Sequence, residues 1–359
     1  MGTLRTVLAI AVVLAHCWPE SGSFLPGHNA VQLFYIISGF LISFVLLESN
    51  SYKTRLSFYI NRALRLYPIY FVIAALTLIF YILTDEVSFF QVYRSSPLAA
   101  GALLVFVNIA LFGQDWIMFL AVNRNNLQFS ADFSNSTVPL YNGLLVHQAW
   151  TLGLELSFYA IAPFILKKRK LIVGLIFLSL LLRLSLCILG IGRHDPWTYR
   201  FFPCELALFL LGALSHQFIL PFFRVRPFFM KTGADYGTYF LLLLTIFYTA
   251  IPIPEPYKEI CFYMVFAMLI PLAFVYQNRT AFDRLIGELS YSIYVVHTLV
   301  IAFIFRAALS IGFNNRHFLA ICCVVVSILA ASALVVFVGG PLEKIRTRFR
   351  RRREAGVAT

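Results

Sequence analysis

Arg5 and His16 lie in one apolar run, Arg5-Thr-Val-Leu-Ala-Ile-Ala-Val-Val-Leu-Ala-His16. Their spacing is close to three turns of helix, which puts both side chains on one face about 16 Å apart along the axis. A guanidinium presents a fork of N–H donors that suits phosphate, and an imidazole titrating near neutrality can take a proton or an acyl group. Taken singly, Arg5 is equally a snorkelling anchor and His16 a helix-end histidine bonded to a neighbour. Trp18-Pro19 ends the run, and Glu20 is placed to fold back toward His16. Arg62 and Arg65 stand at i, i+3 on a second helix face, a phosphate grip or a topology signal. Glu155 lies in Trp150-Thr-Leu-Gly-Leu-Glu155-Leu-Ser-Phe-Tyr159 and His297 in Ser290-Tyr-Ser-Ile-Tyr294-Val-Val-His297. Each is about 16 Å from the end of its apolar run, near the centre of a bilayer. There Glu155 is a general acid–base group or the partner of a buried arginine. Ser290, Tyr294 and His297 form one polar stripe, functional or a hydrogen-bonded seam between helices.

The elements that carry these residues are apolar runs of about 20 residues, enough to cross a hydrocarbon core of about 30 Å. The 359-residue chain is 60% hydrophobic and only 13% charged, whereas a soluble domain carries roughly 25% charge. Spans are expected near 4–19, 31–48, 66–83, 144–166, 171–191, 201–220, 236–251, 259–277, 285–308 and 318–338. With the N-terminus inside, Lys53, Arg55, Arg62 and Arg65 fall on the cytoplasmic face. So do Lys167 to Lys170, then Arg224, Arg226 and Lys231, then Arg279 and Arg284, and finally the tail from Arg346 to Arg353. Counting 98–119 as a further full span would invert this pattern, so that segment is expected to be re-entrant or interfacial. The sequence therefore predicts an all-α polytopic membrane protein of about ten transmembrane helices with both termini cytoplasmic. It divides into a membrane-embedded domain over 1–343 and a basic cytoplasmic tail over 344–359.

The formal charge of +13 sits in those short loops and the tail, a pattern of cytoplasmic retention and contact with anionic lipids and not of nucleic-acid binding. The six cysteines, Cys17, Cys187, Cys204, Cys261, Cys322 and Cys323, make no zinc-like spacing and read as small apolar residues; no metal site is expected. No small-residue cleavage site follows the first run, so it is read as a spanning helix and not a signal peptide.

At these residues the chain resembles the acyltransferase 3 family of bacterial inner-membrane O-acyltransferases. The Arg5-x10-His16 run resembles the family's first-span motif, and Leu33-Phe-Tyr-Ile-Ile-Ser38-Gly39-Phe-Leu-Ile42 its Ser-Gly signature. Arg62/Arg65-Leu-Tyr-Pro68 resembles its arginine motif, Trp150–Tyr159 its Trp…Glu element and Ser290–His297 its late Tyr…His element. The chain departs from the pattern at Gln32, Asn61, Leu64, Thr151 and Leu156. The resemblance implies a multi-pass enzyme of the bacterial inner membrane with no permanently bound cofactor. Its donor would be cytoplasmic acyl-CoA, usually acetyl-CoA, and its acceptor a hydroxyl of a surface glycan or lipid-linked saccharide. In that reading His16 is general base or transient acyl acceptor, and Glu155 or Glu20 orients it. Arg5, Arg62 and Arg65 hold the CoA phosphates. His297 and Tyr294 line the acyl path or steady an oxyanion, with Ser38 and Trp150 along the same path. No soluble segment follows the tenth span, so a fused esterase-like partner is not expected within the sequence. The rival reading, a transporter or flippase of a lipid-linked sugar, calls for two related halves with broken helices, and none is discernible.

Overall fold

A computed structural model describes residues 1–18, 23–49, 54–132, 136 and 138–343. Glu20, Lys53 and the 344–359 tail lie outside the described residues. The chain opens with α1 (Gly2–Cys17), α2 (Gly27–Leu47) and α3 (Arg55–Thr84). Three shorter helices follow, α4 (Val87–Ser95), α5 (Leu98–Ala110) and α6 (Gln114–Ile117), then strands β1 (Leu120–Asn123), β2 (Asn126–Phe129) and β3 (Val138–Pro139). Next come α7 (Trp150–Ile165), α8 (Arg169–Ile188) and α9 (Phe202–Leu214), the last continued through a π-helical turn over Ser215–Ile219 into α10 (Leu220–Arg224). The chain continues through α11 (Pro227–Met230), α12 (Thr232–Ile246), α13 (Tyr257–Arg279), α14 (Ala281–Ser310) and α15 (Arg316–Leu334). Among the described residues seven helical segments are long and apolar enough to cross a membrane. They cover the expected spans 31–48, 66–83, 171–191, 201–220, 259–277, 285–308 and 318–338. The other three expected spans are shorter helices: α1 and α7 of 16 residues and α12 of 15.

The chain clusters into two compact units, one of Met1–Ile73 with Gly212–Thr359 and the other of Ala74–Leu211. In the first, α1 packs against α2, α12, α14 and α15, and α13 against α2, α12 and α14. Close approach is built in at Gly212, where an added Cβ would lie 1.9 Å from the Ile36 carbonyl oxygen and 2.8 Å from the Phe40 nitrogen. Both obstacles are backbone and cannot swing aside. Without a hydrophobic drive between helices in lipid, such small-residue contacts carry the packing. Gly212→Ala is therefore expected to cost about 1–3 kcal/mol or more, read as a lower midpoint of thermal aggregation in detergent. An unchanged midpoint would show that α2 and α9 do not pack this closely.

In the second unit the 98–119 segment is not one helix. α5 stops where Leu111 (φ 58°) and Gly113 (φ 83°) turn left-handed, and the chain passes through α6 into an antiparallel sheet of order β2-β1-β3. α7 also starts later than the expected span at 144, because Asn108 of α5 clamps the preceding backbone. Its side chain donates to the Gly143 carbonyl (3.0 Å) and accepts from the Leu145 N–H (2.9 Å). The backbone ahead of α7 is thus satisfied by a protein side chain.

Candidate active site

The register of α1 against α14 creates the site. The first turn of a helix leaves N–H groups without partners, and α1 has no acidic residue there. Its cap comes from a distant helix: the Asp283 carboxylate accepts from Gly2 N (2.7 Å), Thr3 N (2.8 Å) and Thr3 Oγ1 (2.6 Å). Gly2 has no room for a side chain, since a Cβ would lie 1.7 Å from the Asp283 carbonyl oxygen. One turn on, Thr6 Oγ1 donates to the Ile286 carbonyl (2.9 Å). The two helices thus run parallel from a common origin. Fourteen residues separate Gly2 from His16 and fourteen separate Asp283 from His297, about 21 Å along each axis. The two imidazoles meet accordingly, ring centroids 4.9 Å apart at 63°.

Backbone carbonyls fix their tautomers. His16 Nδ1 lies 2.8 Å from the Val12 carbonyl and His297 Nδ1 lies 2.7 Å from the Tyr294 carbonyl. A carbonyl only accepts, so each Nδ1 carries a proton and each neutral ring keeps its lone pair on Nε2. His16 is exposed. His297 is fully buried, and its Nε2 has no hydrogen-bond partner among the described residues. A buried acceptor left unmade is costly in a purely structural role. Tyr294 packs on His297 (5.8 Å) and on Phe34 of α2 (6.1 Å). Ser38, one turn beyond Phe34, is buried.

The arginines occupy the same unit. Arg62 is buried with its guanidinium 5.6 Å from the Phe58 ring, and Arg65 is half-buried. Tyr291, within the Ser290–His297 run, donates its hydroxyl to the Leu66 carbonyl (2.6 Å) and so ties α14 to the arginine helix α3. Arg5 is the residue of α1 immediately before Thr6, whose hydroxyl donates to the Ile286 carbonyl.

Glu155 and Trp150 lie on α7 in the other unit. Tyr159 donates its hydroxyl to Glu155 Oε1, and Trp150 is buried beneath the Arg200 guanidinium, 4.3 Å from its ring. Arg183 is paired with the fully buried Glu205 and donates to the Thr198 and Cys204 carbonyls. It is a structural bridge.

An acyltransferase-domain family model, acyltransferase 3, matches residues 2–337, nearly the whole chain. The chain belongs to the acyltransferase 3 family. Among curated relatives it is 24% identical over 326 residues to the peptidoglycan O-acetyltransferase OatA of Listeria monocytogenes, covering 83% of this chain and 48% of that protein. It is 26% identical over 329 residues to the O-acetyltransferase OatA of Staphylococcus aureus, covering 84% and 50%. The chain spans about half the length of these relatives. No solved structure matches it.

Two groups in this acyltransferase 3 chain escaped sequence reasoning. Ser43 Oγ lies 2.9 Å from His216 Nδ1, His216 Nε2 lies 3.0 Å from Glu48 Oε1, and Arg224 Nη1 donates to Glu48 Oε2 (2.7 Å). This chain of bonds ties the C-terminal end of α2 to the π-helical turn, a device frequent at functional sites. A histidine inside the apolar 201–220 run was the available signal. In the second unit Asp115 is buried against Gly153 of α7, where a Cβ would lie 2.6 Å from its Oδ1. That oxygen has no hydrogen-bond partner among the described residues. Nothing in the sequence around Asp115 distinguishes it from a loop carboxylate.

Proposed function

We propose that this chain is a membrane O-acyltransferase of the bacterial inner membrane, moving an acyl group, acetyl in the simplest case, from cytoplasmic acyl-CoA to a hydroxyl of a cell-surface glycan. The observation that carries the reading is the paired imidazoles, both donating Nδ1–H to a backbone carbonyl and so keeping the lone pair on Nε2. The names of the Listeria and Staphylococcus relatives supply the acyl group and the acceptor class.

His16 Nε2 removes the acceptor hydroxyl proton as that oxygen attacks the thioester carbonyl. The C–S bond breaks and the imidazolium returns the proton to the departing CoA thiolate. In the two-step variant Nε2 itself takes the acyl group and passes it to the hydroxyl. His297 and Tyr294 border the reacting carbonyl, and the Tyr294 hydroxyl, not the lone pair on His297 Nε2, can donate to the developing oxyanion. Arg5, Arg62 and Arg65 hold the CoA phosphates at the cytoplasmic mouth. Ser38 borders the acyl path.

The test is the purified chain in lipid nanodiscs, given acetyl-labelled acetyl-CoA with peptidoglycan fragments. Thiol release matched by alkali-labile label on the sugar supports the reading. A lipid-linked-sugar transporter leaves the thioester intact, and an unconsumed thioester in folded protein would reject acyl transfer.

A further inference from the structure

The end of the second unit opposite Lys167 to Lys170 carries an aromatic shelf that the mechanism does not use. It lies wholly within Ala74–Leu211. α7 begins and α8 ends there, and the β2-β1-β3 sheet stands beside them. A sheet with open edges has no place in hydrocarbon, and the hairpin is polar, with Asn123, Arg124, Asn125, Asn126, Gln128 and Ser130 around its turn and second strand. This end is therefore in water. Yet Phe129, on the edge strand, is 65% exposed. Its ring lies nearly parallel to Phe119 (6.3 Å, 13°), and Trp197 meets both, at 4.9 Å from Phe119 and 6.2 Å from Phe129. The indole is fixed by its Nε1 donating to the Ala131 carbonyl (3.0 Å).

In the same 194–201 loop, Arg200 lies over Trp150 (4.3 Å) and Tyr199 (4.7 Å). Its Nε donates to both Asp195 carboxylate oxygens (2.9 and 2.8 Å) and its Nη2 to the Tyr199 hydroxyl (2.8 Å). Burial pushes the Asp195 carboxyl up from its ordinary range, against the pull of the adjacent guanidinium. Both halves of this pair are largely sheltered from solvent.

We propose that this shelf is a binding site for an uncharged oligosaccharide of N-acetylated hexoses. A pyranose ring has one C–H-rich face and a rim of hydroxyls. Near-parallel and edge-on aromatic rings in water, with Phe129 the exposed one, match the face, and a guanidinium–carboxylate pair beside a phenol matches the rim. The competing occupant, a lipid headgroup belt, favours Trp and Tyr flanked by apolar chain, not a Phe on a strand that also carries Asn126 and Gln128. The choice of sugar class rests on the acyltransfer reading; the site itself does not.

The probe is chitotetraose, titrated into the full chain in nanodiscs and followed by calorimetry. Phe129→Ala and Trp197→Ala are each expected to weaken binding at least tenfold. Asp195→Asn, whose shape is unchanged, is expected to weaken it several-fold. His16→Ala is expected to bind as the parent does, so loss of catalysis and loss of the shelf separate. Chitotetraose that fails to bind, or that binds Phe129→Ala and Trp197→Ala proteins of native melting behaviour as tightly as the parent, would overturn the proposal. Quenching of Trp197 by lipids brominated on their acyl chains would overturn it too, by placing the shelf in the bilayer.

Discussion

His16→Ala is expected to lower kcat/KM for acetyl transfer by about 10³-fold, within the roughly 10²–10⁴ that a positioned acid–base group contributes, with acetyl-CoA binding retained. The size follows from the tautomer. Val12 takes the Nδ1 proton, so the only basic atom of the ring is Nε2, and alanine removes it without a substitute. His16→Gln keeps volume and a polar end but no titratable nitrogen, and is expected to be as inactive. His297→Ala should cost less than His16→Ala, because it leaves the attacking base in place. Calorimetric acetyl-CoA binding and steady-state turnover, measured on the same preparations, separate the two effects. More than a tenth of parental turnover in a folded His16→Ala protein would remove His16 from the chemistry.

Much of this site was legible in the sequence for one reason: rare polar residues in apolar runs are expensive, so each one stands out. Arg5, His16, Arg62, Glu155 and His297 were visible on that ground alone. The helices were legible from the length of those same runs, and the break within 98–119 from the charge of the loops around it. What was not legible depends on partners far apart in the chain. Asp283 looks like an ordinary acidic residue near a helix start, yet its role is to cap a helix 281 residues earlier. Glu48 reads as a span-end charge until His216 and Arg224 close on it. The start of α7 was misplaced because the clamp by Asn108 is a tertiary contact that no local period records. Glu20, one of two carboxylates considered for His16, lies outside the described residues, and the Nδ1 of His16 is held by its own helix.

The capping carboxylate leads to the second large effect. Asp283→Ala is expected to lower acetyl transfer by about 10²-fold although it touches neither imidazole, the loss typical of a misplacement of about 1 Å at a reacting centre. Three donors at the start of α1 converge on this carboxylate, and charge-assisted bonds are worth about 1.5–3 kcal/mol each. Removing their acceptor frees the common origin from which α1 and α14 are measured. A slip of one residue moves His16 by about 1.5 Å along the axis and turns it by about 100° around it, off the His297 ring. Asp283→Asn keeps one acceptor oxygen and is expected to fall between parent and alanine. A structural readout separates register from general damage: a His16→Cys/His297→Cys pair should oxidise readily to a disulfide with Asp283 present and slowly with Asp283→Ala, both measured at a temperature where each protein is folded. Equal oxidation rates in the two backgrounds would mean that the remaining contacts of α1 with α14, among them Thr6 on the Ile286 carbonyl, hold the register without the cap.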